Sequence, residues 1–378
     1  MKIMMFAGEA SGDMHAAAVA AEIKREYPDA DIFGMGGDNM RNAGVRIIYD
    51  IGNLGIIGVV EVIRHLSLFF KLRAFLRHAM MEEKPDVVVC VDYPGFNMKI
   101  AHVAKELGIP VVYYIAPTIW AWHKGRAKNI VHDVEHVASI FPFEAEAYRE
   151  AGARVTFVGH PLADTVKASM SYEEAMIFFG GDRVKKRILL MPGSRKNEVE
   201  KLLPAMLKAA DILTEKCECQ FFLPRAGTIS SEFIQGFLKN ASPRLDIIVT
   251  AGRIYDLMQI CTACIASSGT ATLETALMGL PTVLVYRLSA ITWFLAKHLV
   301  RVEYAGLPNI LLHKEVTPEL LQDKVTAGNI AEVVLPWLTD EVKRQENIRE
   351  LKSVRAVLGE GGAVRRTAEL ILRTAERK

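Results

Sequence analysis

Cys264-Ile265-Ala266-Ser267-Ser268-Gly269-Thr270-Ala271-Thr272-Leu273-Glu274, followed after a short helical stretch by Pro281-Thr282-Val283-Leu284-Val285, reads as strand, small-residue turn, helix and strand. That order is how a parallel sheet presents unpaired backbone N–H groups at a helix N-terminus, where they and the helix dipole stabilise a phosphate or pyrophosphate. Glu274 lies about one helical turn beyond Thr270, so its carboxylate can accept from hydroxyls beside that phosphate, as on a ribose. The same residues also fit a plain helix start with a tight Ser-Gly turn and a solvated Glu.

Outward from this stretch the pattern repeats. Apolar runs at 2–7, 31–34, 86–91, 110–115, 137–141 and 155–158 alternate with helix-length segments. After the turn signal Gly180-Gly181-Asp182 a second series follows at 187–191, 220–223, 246–249, 262–266 and 282–285. Beyond it the chain reads as wholly helical, with amphipathic segments near 327–338, 340–358 and 363–377. This predicts an α/β protein of two Rossmann-like parallel-sheet domains facing a cleft, with a helical C-terminal segment. The domains are placed at 1–175 and 176–345, with 346–378 packing back on the first. At 378 residues two domains are also the default.

Composition narrows the function classes. A net charge of +2 with 24% charged residues argues against broad neutralisation of nucleic-acid phosphates. Hydrophobic residues make up 51%, yet no run reaches the eighteen or so apolar residues that crossing a bilayer needs, and no signal-type segment precedes Gly8-Glu9. A cytoplasmic location is expected. Cys217/Cys219 and Cys261/Cys264 have spacings that zinc uses, but reduced, buried thiols of a cytosolic chain explain them better.

Ligands of open parallel sheets gather beyond the carboxyl ends of the strands, and that rule selects the candidate residues. Gly8-Glu9-Ala10-Ser11-Gly12-Asp13 follows the first strand and lacks the Gly-x-Gly-x-x-Gly spacing of dinucleotide sites; Ser11 or Asp13 can cap the next helix. Asp92-Tyr93-Pro94-Gly95-Phe96-Asn97 follows the run ending at Val91, and Asp92 is a candidate general base, or else a turn residue before Pro-Gly. The segment 117–126 carries Trp120, Trp122, His123, Lys124 and Arg126, suited to sugar stacking and phosphate contact or to plain packing. Pro192-Gly193-Ser194-Arg195 places Arg195 to meet a diphosphate, or to pair with Glu198.

One helix is too greasy for a single buried face. From Val62 to Met81 the apolar residues include Leu66, Phe69, Phe70 and Leu72, while Arg73, Arg77 and other cations appear without an acid between Arg64 and Met81. That resembles an interfacial helix on anionic lipid; burial between two neighbours or in a homo-oligomer is the other reading. The mixed segment 291–301 can join it or sit in the core.

Taken in order, Gly-Glu-Ala-Ser-Gly-Asp (8–13), Asp-Tyr-Pro-Gly-Phe-Asn (92–97), Trp-Ala-Trp (120–122), Phe-Pro-Phe-Glu (141–144), Val-Gly-His-Pro (158–161), Pro-Gly-Ser-Arg (192–195), Ser-Gly-Thr-Ala-Thr-Leu-Glu (268–274) and Leu-Pro-Asn (307–309) resemble the lipid A disaccharide synthase family over nearly the whole chain. The resemblance implies a GT-B glycosyltransferase that joins UDP-diacylglucosamine to diacylglucosamine phosphate, releasing UDP with inversion. It implies Asp92 as the base; Arg195, Ser268, Gly269, Thr270, Glu274 and Asn309 on the donor; and Ser11, Glu9, Asn97 and Trp122 on the acceptor side. His123 stands where the family usually carries Arg or Lys. No cofactor is implied, and the one Asp-x-Asp string, Asp29-Ala30-Asp31, lies at the start of a strand, so no metal is expected and activity should survive EDTA. Peripheral association with the inner membrane follows from the acylated substrates. The rival readings are another UDP-sugar enzyme such as an epimerase, and a non-catalytic nucleotide-responsive membrane scaffold.

Overall fold

The computed structural model describes residues 1–54, 66–117, 124–288, 303–359 and 361–376. The chain divides into two compact units, Met1–Asp164 with Leu358–Lys378, and Thr165–Val357.

The first unit holds seven parallel strands, in spatial order Arg46–Asp50, Asp31–Gly36, Lys2–Ala7, Val87–Val91, Val111–Tyr114, His136–Ser139 and Val155–Phe157. Its central strands are unbroken apolar runs because helices cover both faces: Ile3 to Ala7 and Val87 to Val91 are all within 1% of full burial. Chain order reverses between Lys2–Ala7 and Val87–Val91, where Phe6 lies opposite Cys90 and Ala7 opposite Val91. The two turns after these strands are therefore neighbours.

The second unit repeats the plan with six parallel strands, ordered Ile247–Thr250, Cys219–Pro224, Lys186–Met191, Ala263–Ser267, Thr282–Tyr286 and Glu319–Leu321. Its reversal falls between Lys186–Met191 and Ala263–Ser267, with Met191 opposite Ala266. Two strands are additions to the sequence reading, Arg46–Asp50 and Glu319–Leu321, so the chain beyond 285 is not wholly helical. Both are edge strands, where half-exposure and short length remove the apolar run that marks a central strand.

Two elements settle where the units begin and end. The helix Tyr172–Phe179 starts in a capping box, with Glu174 N–H donating to Ser171 Oγ and Ser171 N–H donating to Glu174. It buries Ala175, Met176 and Phe179 against Leu189, Phe222 and Leu257 of the second unit, so the second unit starts before 176. At the other end Glu341–Leu358 lies almost wholly in the second unit, and Ala363–Glu376 in the first. The last helix packs on Ala10–Glu26, which buries Ala16, Ala17 and Ala20. Asp164 caps it by accepting from Gly362 N–H at 2.5 Å and Ala363 N–H at 3.0 Å.

Candidate active site

In the second unit the turns after Met191 and Ser267 meet at the reversal point, and a cavity of about 510 Å³ lies there. Arg195, Ser268, Gly269, Thr270 and Glu274 all line it. Gly269, at φ +148°, turns the chain into the helix Thr270–Leu277, so the first N–H groups of that helix have no partner within it. Glu274 is partly buried and accepts a hydrogen bond from Tyr255 Oη at 2.8 Å. Burial pushes its carboxyl up from the ordinary value, and the Tyr255 hydroxyl draws it part of the way back.

Arg195 is a mostly exposed side chain, 77% accessible, with Nη1 3.6 Å from Glu198 Oε1. An exposed pair of this kind contributes little stability, which leaves the guanidinium available to an anion in the cavity. Glu198 does more than pair with it: Oε2 accepts from Ser194 N–H at 3.2 Å and Arg195 N–H at 3.4 Å. The carboxylate thus holds the turn from the helix side. Arg225 and Tyr286 also line the cavity; neither stood out in sequence, since each closes a different strand and only the sheet brings them together.

Asn309 does not line this cavity. It is fully buried, donating from Nδ2 to Thr317 O and Glu319 Oε1 at 2.7 Å and accepting at Oδ1 from Val316 and Thr317 N–H at 2.8 and 2.9 Å. Every polar atom of its amide is used within the fold, and it ties the Leu307–Leu312 helix to the edge strand Glu319–Leu321.

In the first unit the Gly8 and Asp92 turns are in contact. A Cβ on Gly8 would stand 2.0 Å from Tyr93 Cδ1, so only glycine fits beneath that ring. Asp92 and Tyr93 both take left-handed backbone, at φ +51° and +49°, a conformation costing roughly 1–3 kcal/mol per residue. Asp92 N–H donates to Tyr114 O at 3.1 Å, while its carbonyl accepts from Asn97 Nδ2 and Tyr113 Oη, each at 2.9 Å. These bonds hold the turn against the strain.

The fold fixes Asn97 through its Nδ2, while its buried Oδ1 has no partner among the described residues. The residue is fully buried and also donates to Phe6 O at 3.2 Å and Val91 O at 3.1 Å, joining the ends of both strands to the Asp92 carbonyl. Asp13 likewise turns inward, accepting from Gly37, Asn39 and Met40 N–H, and so caps the helix Asp38–Asn42 and not its own. Glu9 and Ser11 remain exposed beside the Asp92 turn. Trp122, with Trp120 and His123, lies outside the described residues.

The Asp92 carboxyl is pushed up by burial, with Tyr93 N–H and then His15 acting against that. His15, from the helix Ala10–Glu26, is pushed down by burial and drawn up by Asp92. Buried His160 is held down at about 3, by burial and then by His15. Sequence reading missed both histidines, because the place of His15 near Asp92 depends on helix phase and that of His160 near His15 on a distant turn.

The helix Leu66–Glu83 divides its apolar residues between two surroundings. Leu72, Leu76 and Met80 are in the core, and Phe69 packs against it, 5.8 Å from the Phe96 ring. Leu72 is thus a packing residue, since spacing of about one turn aligns Leu72, Leu76 and Met80 on the core, and Phe69 is half-buried at its edge. Phe70, Phe75 and Met81 are exposed, with Arg73 over the Phe70 ring at 5.7 Å and Arg77 2.8 Å from Glu106. The side chain of Leu66 lies outside the described residues, as does 291–301. Among the described residues no helix is long and apolar enough to cross a membrane.

Asp29 is exposed and Asp31 pairs with Arg46 at 3.2 Å, at the amino ends of their strands and away from either turn cluster. All five cysteines are free.

Known proteins supply the remaining comparison. The solved UDP-GlcNAc 2-epimerase from Neisseria meningitidis bound to UDP-GlcNAc superposes with a TM-score of 0.69 at 13% identity, over 99% of this chain and 100% of that one. The solved glycosyltransferase of kitacinnamycin gives 0.64 at 14% identity, over 99% and 98%. At such identities the likeness establishes the shared GT-B architecture of paired Rossmann-like sheets. The lipid-A-disaccharide synthase of Geobacter metallireducens is 41% identical across 100% of this chain and 98% of its own. A family model described as lipid-A-disaccharide synthetase matches residues 3–372, and the chain belongs to that family.

Proposed function

We propose that this chain is a lipid-A-disaccharide synthase that joins UDP-2,3-diacylglucosamine to 2,3-diacylglucosamine 1-phosphate, releasing UDP. The observation that carries this reading is the convergence of Arg195, Ser268, Gly269, Thr270 and Glu274 on one cavity at the strand reversal of the second unit. In the proposed reaction Asp92 takes the proton of the acceptor hydroxyl as its oxygen bonds to the anomeric carbon of the donor. The bond from that carbon to the diphosphate breaks on the opposite side, giving inversion. Arg195 and the N–H groups at the start of Thr270–Leu277 meet the charge that gathers on the departing diphosphate. That supply of positive charge makes a bound metal unnecessary for the step. Glu274, steadied by Tyr255, is assigned to the ribose hydroxyls.

Glu9 and Ser11 are assigned to the acceptor side, with Trp122. The exposed Phe70, Phe75 and Met81, interleaved with Lys71, Arg73 and Arg77, are assigned to an anionic lipid surface, where rings enter the headgroup boundary and cations meet phosphates. Mass spectrometry of products formed from UDP-diacylglucosamine with and without the lipid acceptor tests the whole reading. UDP release that needs no acceptor, or sugar epimerisation without transfer, would overturn it.

A further inference from the structure

Two helices of the first unit end side by side at the amino edge of the sheet, away from the Asp92 turn: Pro94–Glu106 and Lys124–Asp133. Asp133 is buried, its side chain 7% accessible, and its Oδ1 lies 3.0 Å from His102 Nδ1 and 2.6 Å from His132 Nδ1. The two imidazoles are exposed, their centroids 6.3 Å apart, and the ligand-type atoms of all three residues lie within 4.8 Å of one another. Glu106 Oε1 stands 3.7 Å from the other ring nitrogen of His102, and Glu106 is itself held by Arg77 at 2.8 Å.

We propose that His102, His132 and Asp133 bind a zinc ion, with Glu106 orienting His102 from outside. Tetrahedral zinc, with bonds of about 2.0–2.2 Å to nitrogen and oxygen, sets ligand atoms roughly 3.3–3.6 Å apart. The two imidazole–carboxylate pairs, at 3.0 and 2.6 Å, need to open by no more than about 1 Å, in rings that solvent leaves free to move. With the metal on Nδ1 the His102 proton moves to Nε2, where it faces Glu106, the carboxylate–histidine arrangement that fixes a ligand imidazole. A fixed, buried carboxylate supplies the anchor. Both helices also present the negative ends of their dipoles here, which favours a cation. Two imidazoles in a set of three select zinc over magnesium or calcium, which prefer oxygen. The fourth position is left to water. Such an ion would clamp the last turn of Pro94–Glu106, the helix whose first turn adjoins Asp92.

The test is calorimetric titration of the chelator-stripped full chain with zinc chloride and, separately, magnesium chloride, together with thermal unfolding under the same conditions. The expected result is a single zinc site per chain and a rise in Tm with zinc alone. Glu106→Gln should weaken zinc binding by about tenfold, and His102→Ala with His132→Ala by more. Cys217 and Cys219, with sulfurs 3.5 Å apart, are the competing soft site, so each titration is repeated in Cys217→Ser. Zinc affinity unchanged in the double histidine variant, or absence of zinc heat in the unmodified chain, overturns the proposal. Both histidines are exposed, and circular dichroism checks that their removal leaves the fold intact.

Discussion

A general base has to be free of its proton before it can take one, and burial works against that at Asp92. Its carboxyl is pushed up, with His15 among the groups that restrain the rise. The unprotonated form is the active one, so turnover should climb with pH through an apparent value above the usual carboxylate range. His15→Gln keeps similar bulk and removes the restraint, so the acidic limb of kcat/KM should move to higher pH; an unmoved limb would separate His15 from the base. Asp92→Asn should abolish turnover while UDP affinity stays within a small factor, and near-normal turnover would remove Asp92 from the role. In the donor cavity, Tyr255→Phe deletes the hydroxyl that steadies Glu274. UDP binding by calorimetry should weaken by about 1 kcal/mol, roughly fivefold, and unchanged binding would detach Glu274 from the nucleotide. Residues of this kind divide by how visible they are in sequence. Asp92, Arg195 and the 268–274 turn stand out in sequence because each follows an apolar run closely. Asn97 and Asn309 read as ligand contacts because a side-chain amide serves a ligand and a neighbouring carbonyl equally well, and only the fold shows which neighbours are in reach.

The helix Leu66–Glu83 poses the same problem one level up. An apolar pattern covering most of the circumference has no phase to read, so sequence identified excess hydrophobicity but not which residues carry it. The structure assigns Leu72, Leu76 and Met80 to the sheet and leaves Phe70, Phe75 and Met81 outside. Phe70→Ser with Phe75→Ser should therefore lower co-sedimentation with anionic vesicles and slow transfer to membrane-embedded acceptor, while leaving Tm nearly unchanged. Leu72→Ala should do the reverse, costing about 2–5 kcal/mol of stability in denaturant unfolding. If the double Phe variant binds vesicles as well as the parent chain, the exposed rings serve something other than lipid. The edge strands Arg46–Asp50 and Glu319–Leu321 went unread for the opposite reason, since an edge needs only one apolar face and three to five residues to pair.

For the molecule as a whole, the succession of strands and helices was readable because parallel sheets covered on both faces demand continuous apolar runs, and central runs such as 87–91 and 263–266 are both buried and uninterrupted. The unit limits were less readable, because a helix such as Tyr172–Phe179 carries its allegiance in tertiary contacts and not in its own letters. The first unit is closed by the helix Ala363–Glu376 resting on Ala10–Glu26. A chain ending at Val357 should keep the second unit cooperative while amide exchange quickens along Ala10–Glu26, and unchanged protection there would show that the last helix is dispensable. The same connectivity governs birth on the ribosome. The segment Thr165–Val357 is continuous and can finish folding as it emerges, whereas the unit begun first waits for the final residues of the chain. At roughly 5–20 residues per second that wait is on the order of 10–40 s, during which Ala10–Glu26 lacks the helix that will pack on it. The earliest-made part of the nascent protein is thus the last to mature, and its uncovered first helix is what holdase chaperones would meet.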